Sequence, residues 1–340
     1  MRKRPRDQSE PLVAAVASSK GKKLVCEDVP IICPTLGDCE ELSLYAILDG
    51  HGGRDCADWV CARLPSILAE SLASATESKD IKSAIKSAFE SCDAELLKQC
   101  EAKDWDDGTC VVALLVDRRC SPARGYVANL GDSRAYVAVV PQAAGYSGEP
   151  SRKVIHSAQT SESAIKAVSL SKEHSATEPK ERKRIEAAGG FVENGRACGV
   201  LQVSRSLGDR RLKKGGSACP KGLDISCSTP DVTSFDIDPT LQRFALLGCD
   251  GLWTAFAGLQ AVEWLNERLP KMDSRRAEIA KTLDEPASAS ALTQAELAAL
   301  KAERESACEE GLLKAMLHEA VHVRHAKDNV TAVLVRLPEL

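Results

Sequence analysis

An acid and an imidazole stand close together in a glycine-rich segment, Asp49-Gly50-His51-Gly52-Gly53. The residues just before it, 44–48, are apolar and of strand-forming types, so the sequence predicts a buried strand that ends here. Glycines let the backbone turn tightly and approach a ligand closely. A carboxylate and a group that titrates near neutral pH, delivered together to a turn, can support metal or acid–base chemistry. Taken alone, the segment is equally typical of an ordinary turn.

Further acidic residues lie in the same context, at or near the end of a predicted apolar strand. They are Glu27-Asp28 after 24–26, Asp250 after 246–249, and Asp328 before 331–335. Any one of these acids is ordinary as a turn or helix-capping residue. Several of them on neighbouring strands would converge at one edge of the sheets, where the carboxylates would repel one another unless cations lay between them.

The ligand types indicate which cations such a cluster would bind. A cluster of oxygens without cysteine, with at most one nearby histidine, selects hard ions such as Mg²⁺ or Mn²⁺ rather than Zn²⁺ or Cu²⁺. Two such ions about 4 Å apart, bridged by a carboxylate and a water, can convert the water into a hydroxide nucleophile and neutralise phosphoryl oxygens. The pattern therefore favours hydrolysis of a phosphoester.

The elements that would position these acids do not alternate regularly between strand and helix. Helices are predicted at 57–68, 81–99 and 293 to about 322, and strands at 109–116, 126–130, 135–140 and 331–337. Strands that cluster between helices in this way favour the α+β class over a doubly wound parallel sheet. We expect two stacked sheets covered by helices.

The sequence also suggests where the domain begins and where it is interrupted. Residues 1–23 are polar and locally basic, and we expect a loosely held tail with the first strand beginning near Leu24. The remainder, 24–340, is long enough for a single large domain. Residues 141–169 are rich in small and polar types and poor in large apolar ones, which predicts a surface insertion.

Composition argues against several classes of protein. The chain has 340 residues, of which 44% are hydrophobic and 28% charged, and a net charge of −4, so it carries no global basic field for nucleic acid. No apolar run approaches the roughly 18 residues of a membrane span, and the polar start lacks a signal-peptide pattern. We expect a cytoplasmic or nuclear monomer that binds neither nucleic acid nor membranes. Its fourteen cysteines are expected to be reduced thiols.

These residues, taken together, resemble the metal-dependent protein phosphatase 2C (PPM) family. The similar segments occur in family order from about residue 20 to 337: 27–28, 49–53, 129–134, 179–190, 201–209, 249–253 and 327–331. The resemblance implies a Ser/Thr protein phosphatase with phosphoprotein substrates. It also implies a four-layer αββα sandwich, in which two central antiparallel sheets are flanked by helices, and a flap region at about 180–235. The run 213–216 falls in that region, where it would face either substrate or solvent, and we favour solvent.

The resemblance assigns roles to individual residues. Its implied metal ligands are Asp49, the carbonyl of Gly50, Asp250, Asp328, Glu27 and Asp28. Asp49 would bridge two Mg²⁺ or Mn²⁺ ions, and the carbonyl of Gly50 would join one of them. Asp250 and Asp328 would bind the other ion, while Glu27 and Asp28 would act mainly through metal-bound waters. Asn329, beside Asp328, is a further candidate site residue.

The reaction implied by the resemblance is direct attack of a water or hydroxide that bridges the two ions. His51 would act as the general acid that protonates the departing serine or threonine alkoxide, a role that suits a group titrating near neutral pH.

Three positions depart from the family pattern, and one of them, Asp107-Gly108-Thr109 where the family more often has Gly-Ser-Thr, is expected to have only local consequences. Lys23, four residues before Glu27, stands where the family usually has a phosphate-binding arginine. An ammonium keeps the charge but lacks the planar fork of a guanidinium, so we expect a higher KM for phosphate esters rather than loss of activity. Thr254 stands where the family commonly has an aspartate, so a third metal site with Asp132 and Asp250 would be weakened.

Three alternatives stay open on the sequence. A pseudophosphatase that binds partners without hydrolysis would account for Lys23 and Thr254, although the main carboxylates are all present. A serine hydrolase built on Ser133 would use the exposed-looking turn 131–133, but the Gly-x-Ser-x-Gly nucleophile motif is missing there. A scaffold or nucleic-acid-binding module has little support from charge or aromatic content.

Overall fold

The computed structural model describes residues 12–140, 158–160, 165–214, 216–219, 222–238, 240–285 and 292–337. Its strands form two large antiparallel sheets and a small hairpin. In spatial order, the first sheet consists of β1 (Ala14–Ser19), β14 (Val330–Arg336), β13 (Gln242–Gly248), β6 (Arg134–Val139), β8 (Lys166–Ser169) and β7 (Ala158–Thr160). The second consists of β12 (Asp231–Asp236), β5 (Arg124–Leu130), β4 (Gly108–Asp117), β3 (Leu42–His51) and β2 (Val29–Cys33).

Two short pairings complete the strands. β11 (Leu207–Gly208) pairs with the start of β4, and β9 (Val192–Glu193) forms a hairpin with β10 (Arg196–Ala197). The helices are α1 (Asp55–Leu72), α2 (Ser78–Lys103), α3 (Pro179–Ala187), α4 (Asp250–Ala255), α5 (Gly258–Asp284), α6 (Gln294–Ser306) and α7 (Glu309–His318). A 3₁₀ turn covers Arg210–Leu212, and a π-helical turn covers Glu319–Val323.

Three apolar clusters show how the layers stack. Because successive side chains of a strand point to opposite faces, each sheet can bury both of its faces. In β3, Leu44 and Leu48 pack with α1 and α2, whereas Tyr45 and Ile47 pack against side chains of the first sheet. The outer face of the first sheet packs with α5 and α7. The molecule is therefore an αββα sandwich of the α+β class, as the sequence predicts.

The first strand lies earlier in the chain than the sequence predicts. β1 begins at Ala14 and pairs with β14 along its whole length, so the tail expected at 1–23 is wrong for its second half. Leu24, the expected start of the first strand, lies in a loop with 93% of its surface exposed. The sequence Ala-Ala-Val-Ala-Ser-Ser of β1 carries little apolar contrast, which explains why a pattern based on alternation misses it.

Two other expectations need correction. The insertion expected at 141–169 ends in β8, which pairs with β6, and Ile165 and Ala167 are buried, so 165–169 belongs to the first sheet. Residues 141–157 and 161–164 lie outside the described residues. The single helix expected from 293 to about 322 is divided into α6 and α7, because Sγ of Cys308 accepts a hydrogen bond from the backbone N–H of Gly311 and caps a new helix. None of the described helices has the length and apolar character of a membrane span.

Candidate active site and metal centre

The antiparallel arrangement brings the predicted acids to one end of the sandwich. β2 begins where β3 ends, since Val29 pairs with Leu48, and β14 begins where β13 ends, since Ala332 pairs with Gly248. The acids follow or precede these strand ends: Asp28 before β2, Asp49 in β3, Asp132 between β5 and β6, Asp250 after β13, and Asp328 before β14. Asp28 therefore precedes a strand rather than following one, which corrects the sequence-based placement.

Asp49 lies at the centre of this group of acids and is close to several of its neighbours. Asp49 Oδ2 accepts hydrogen bonds from Ser133 Oγ at 3.2 Å and from the backbone N–H of Asp250 at 3.3 Å. Ligand atoms of Asp28, Asp49 and Cys249 all lie within 4.8 Å of one another. A Cβ atom on Gly50 would lie 2.6 Å from the carbonyl oxygen of Glu27, so this close approach of two site segments requires glycine.

The electrostatics of the cluster favour a cation. Burial raises the pKa of Asp49 well above its usual range, and the carboxylates of Asp28, Asp250 and Asp132 raise it further. Burial likewise raises the pKa of Asp250 to about 7, with further contributions from Asp132, Asp328 and Asp28. Like charges gathered in a buried space destabilise each other's ionised forms, and a divalent ion would remove that cost.

Asp28 shows that these residues fit a metal ion. Asp28 is 2% exposed, and its carboxylate oxygens accept no hydrogen bond of standard geometry from a described residue, although the Thr331 hydroxyl and the Cys249 thiol lie near enough to favour its ionised form. Burial raises the pKa of this carboxyl group as well. Buried carboxylates without donors are costly, whereas hard cations take several oxygen ligands of this kind. Asp28 and Asp49 are thus suited to hold a cation directly or through water.

Cys249 corrects the expectation that the cluster contains no cysteine. Its thiol is fully buried beside Asp28 and Asp49, donates to the carbonyl of Asn329 at 3.4 Å and accepts from the backbone N–H of Thr331 at 3.1 Å. Burial, followed by the charges of Asp28 and Asp49, raises the pKa of this thiol well above its usual range. A neutral thiol is a poor metal ligand, so the preference for hard ions stands.

His51 has a partner that the sequence analysis missed. Its Nε2 lies 2.9 Å from Oδ2 and 3.0 Å from Oδ1 of Asp209, a buried residue in the left-handed conformation (φ 51°). Burial alone would lower the pKa of His51, but the Asp209 carboxylate outweighs it and raises the pKa above its usual value. The sequence Leu-Gly-Asp occurs twice, at 130–132 within one predicted site segment and at 207–209. This repetition is the signal that could have identified Asp209.

The segment that carries Asp209 is anchored to α2 by a buried ion pair. Nζ of Lys213, 1% exposed, lies 2.9 Å from Oδ2 of Asp93 and donates to the carbonyl of Ser206 at 2.9 Å. Asp93 Oδ1 also accepts from the backbone N–H of Gly208. The expectation that 213–216 faces solvent is therefore wrong for Lys213, although Lys214 is exposed. Gly215 lies outside the described residues.

Lys23, one of the residues that differ from the family pattern, lies beside the carboxylate cluster. Its Nζ is 3.0 Å from Oδ1 of Asp328, which places a positive charge beside the carboxylates. Asn329 holds the loop that carries Lys23: its amide donates to the carbonyls of Lys20 and Val25 at 3.0 and 2.9 Å, and its Oδ1 accepts from the backbone N–H of Glu27 at 2.8 Å. Asn329 is thus an organising residue of this loop.

Two hydroxyl groups near the acids donate hydrogen bonds within the protein. Thr254 Oγ1 donates to the carbonyl of Asp250, one helical turn earlier, at 3.0 Å. Ser133 is fully buried and donates a hydrogen bond to Asp49. The serine hydrolase alternative requires an exposed serine nucleophile at this position, so that alternative is wrong.

An αββα sandwich with carboxylates converging at one end of its sheets has the fold and the acidic site that the resemblance to the phosphatase 2C family implies. The profile of the family described as "Protein phosphatase 2C" matches residues 15–295, which is most of the chain. The chain belongs to the protein phosphatase 2C family and is a protein serine/threonine phosphatase.

Similar proteins support this assignment along almost the whole chain. A "Probable protein phosphatase 2C 67" of Oryza sativa subsp. japonica is 33% identical over 331 residues, which cover 95% of this chain and 74% of the relative. An "Integrin-linked kinase-associated serine/threonine phosphatase 2C" of Bos taurus is 32% identical over 338 residues, covering 95% of this chain and 76% of that protein.

Solved structures show the same fold at lower sequence identity. A serine-threonine phosphatase 2C from Toxoplasma gondii superimposes with a TM-score of 0.64 at 20% identity, covering 96% of this chain and 97% of that one. A C. elegans sex determining protein gives a TM-score of 0.66 at 21% identity, covering 97% of this chain and 66% of that one.

Proposed function

We propose that this phosphatase hydrolyses phosphoserine and phosphothreonine with two Mg²⁺ or Mn²⁺ ions held by Asp49, the carbonyl of Gly50, Asp250 and Asp328, with Glu27 and Asp28 acting mainly through water. The observation that carries the proposal is the convergence of carboxylates on Asp49, among them the buried Asp28, whose oxygens accept no hydrogen bond of standard geometry from a described residue. When bound, the ions supply Lewis-acid neutralisation of phosphoryl oxygens and a lowered pKa for water.

The residues of the chain then divide the remaining work. Lys23, beside Asp328, provides a positive charge that attracts a phosphoryl oxygen. His51 protonates the alkoxide of the leaving serine or threonine, and Asp209 keeps a proton on its imidazole. Asp132 and Asp250, without an aspartate at Thr254, form a third and weaker cation site.

Hydrolysis of a phosphothreonine peptide, measured with Mn²⁺ and with a chelator, tests the proposal. We expect activity with Mn²⁺ that resists okadaic acid, vanishes with chelator, and is lost in Asp49→Asn and Asp250→Asn. Asp117→Asn is the matched control, because Asp117 is a buried aspartate at the opposite end of β4 from the cluster. Activity that persists with chelator would contradict the metal-dependent mechanism, and folded protein without any hydrolysis would favour the pseudophosphatase.

A further inference from the structure

The loop between β1 and β2 presents two adjacent apolar side chains to solvent. Leu24 is 93% exposed and Val25 is 62% exposed, the first of these more than any other large apolar residue described. Scattered exposed apolar residues are normal on proteins, whereas contiguous exposed apolar surface often marks a place of interaction. We refer to Leu24 and Val25 as the apolar tip.

The apolar tip is held in place from both sides. The amide of Asn329 donates to the carbonyl of Val25 at 2.9 Å, and Nη1 of Arg54 donates to the carbonyl of Cys26 at 2.8 Å. Lys20, at the start of the loop, is fixed by the same Asn329 amide. Because the loop is already ordered, a ligand that contacts the tip loses little free energy in fixing it.

The apolar tip lies beside the groups that would receive phosphate. Lys23, the residue before it, contacts Asp328, and Asp28, at the end of the same loop, belongs to the carboxylate cluster. Consecutive Cα atoms are about 3.8 Å apart, so the tip is within one residue's reach of Lys23. A peptide that places its phosphate at Lys23 and the cluster would bring a flanking side chain close to Leu24.

We infer that the apolar tip is a docking spot for the substrate peptide, and that it selects phosphorylated serine or threonine residues with an aliphatic or aromatic neighbour. The inference rests on the proposed phosphatase function and extends it to substrate preference. The physical basis is the removal of apolar surface of both partners from water on binding. A polar neighbour in the peptide would leave the tip exposed.

Two phosphothreonine peptides that differ only in having leucine or serine on either side of the phosphothreonine test the inference. With the full chain and Mn²⁺, we expect kcat/KM to be about 5–10-fold higher for the leucine peptide, less than the effect of an enclosed apolar pocket because the tip is an open surface. Leu24→Ser should bring the ratio of the two kcat/KM values close to one, while Leu24→Met should keep it. Ile32→Ser is the matched control, because Ile32 is an exposed apolar residue on β2 that pairs with Tyr45, away from the carboxylate end.

The outcomes separate the inference from the proposed function. p-Nitrophenyl phosphate reports on phosphate chemistry without a peptide flank. Wild-type protein that hydrolyses this ester with Mn²⁺ but cleaves the two peptides equally overturns the docking spot and leaves the phosphatase proposal intact. A ratio that survives in folded Leu24→Ser, or that falls equally in Ile32→Ser, also overturns it. Wild-type protein without Mn²⁺-dependent hydrolysis of either ester type overturns both.

Discussion

Oδ2 of Asp209 lies 2.9 Å from Nε2 of His51, although 158 positions separate the two residues in the chain. Asp209 is fixed in turn, because Ser206 Oγ donates to its Oδ2 and its backbone N–H donates to the carbonyl of Asp107 at 3.0 Å. An imidazole held by a buried carboxylate keeps one tautomer and one ring orientation. Asp209 is therefore a positioning residue for the proposed general acid.

Replacing Asp209 by asparagine tests this role. Asp209→Asn keeps the size of the side chain but removes the charge that raises the pKa of His51, so protonation of the leaving group should suffer. We expect kcat to fall about tenfold or more for phenyl phosphate, whose leaving group needs a proton, and less for p-nitrophenyl phosphate. Comparison of kcat for the two esters measures the effect, with Asp117→Asn as control. Equal losses on both esters would show that Asp209 acts only on the fold.

Asp250 links metal binding to stability. Burial and neighbouring carboxylates raise its pKa to about 7, so the folded, metal-free protein holds this proton more tightly than the unfolded chain. This proton therefore stabilises the folded state at low pH. The stabilisation declines as pH rises above the ordinary pKa of an aspartate and is lost as pH passes about 7. We expect Asp250→Asn to raise the Tm of the chelated protein at pH 7.5 and to reduce the rise in Tm that Mn²⁺ produces in wild type.

Thermal unfolding with chelator and with Mn²⁺, at pH 5.5 and 7.5, checks this prediction. Asp236→Asn, an exposed aspartate paired with Arg124, serves as control and should leave both readings unchanged. A lower Tm of chelated Asp250→Asn at pH 7.5 would show that the clustered charges are not the source of instability.

Glu181 stabilises the flap region through two arginines. Burial alone would raise its pKa, but Arg205, whose Nη2 lies 2.6 Å from Oε1, and then Arg184 lower it to about 2. The folded state thus favours the ionised form, and this stability is present above about pH 4.5 and lost as pH falls towards 2. We expect Glu181→Gln to cost about 2–3 kcal/mol at pH 7 and little near pH 2.

Urea unfolding at neutral and acidic pH measures this cost. Glu186→Gln is the control from the same helix, because Glu186 pairs with Arg182 on the exposed face and should contribute under about 0.5 kcal/mol. A similar cost for Glu181→Gln at both pH values would indicate lost packing rather than lost charge.

In the proposed mechanism, the side chain of Lys23 sets how tightly the enzyme binds the phosphate of its substrate. Lys23→Arg would offer two parallel donors in place of a single ammonium, so we expect KM for a phosphopeptide to fall several-fold with little change in kcat. Lys23→Ala should raise KM. Steady-state kinetics measure both variants, and Lys79→Arg, an exposed lysine on α2, is the control. An unchanged KM in Lys23→Arg would refute a role for Lys23 in phosphate binding.

Much of the fold could be predicted from the sequence because its signals are local. The apolar stripes of α1 and α2 have the helical period, the apolar runs of β3, β4 and β13 are continuous, and the structure places elements there. β1 and β8 were missed because short strands of small residues carry little apolar contrast. The division between α6 and α7 was missed because a cysteine cap is a rare signal.

The sequence by itself determined which acids stand at strand ends and which class of cation they suit, because strand ends and side-chain chemistry are local properties. Only the tertiary structure decided that Asp209 meets His51, that Cys249 lies among the carboxylates, and that Asp28 is buried beside Asp49. It also decided that Lys213 is buried against Asp93. These contacts depend on the register and packing of elements far apart in the chain, which no local pattern encodes.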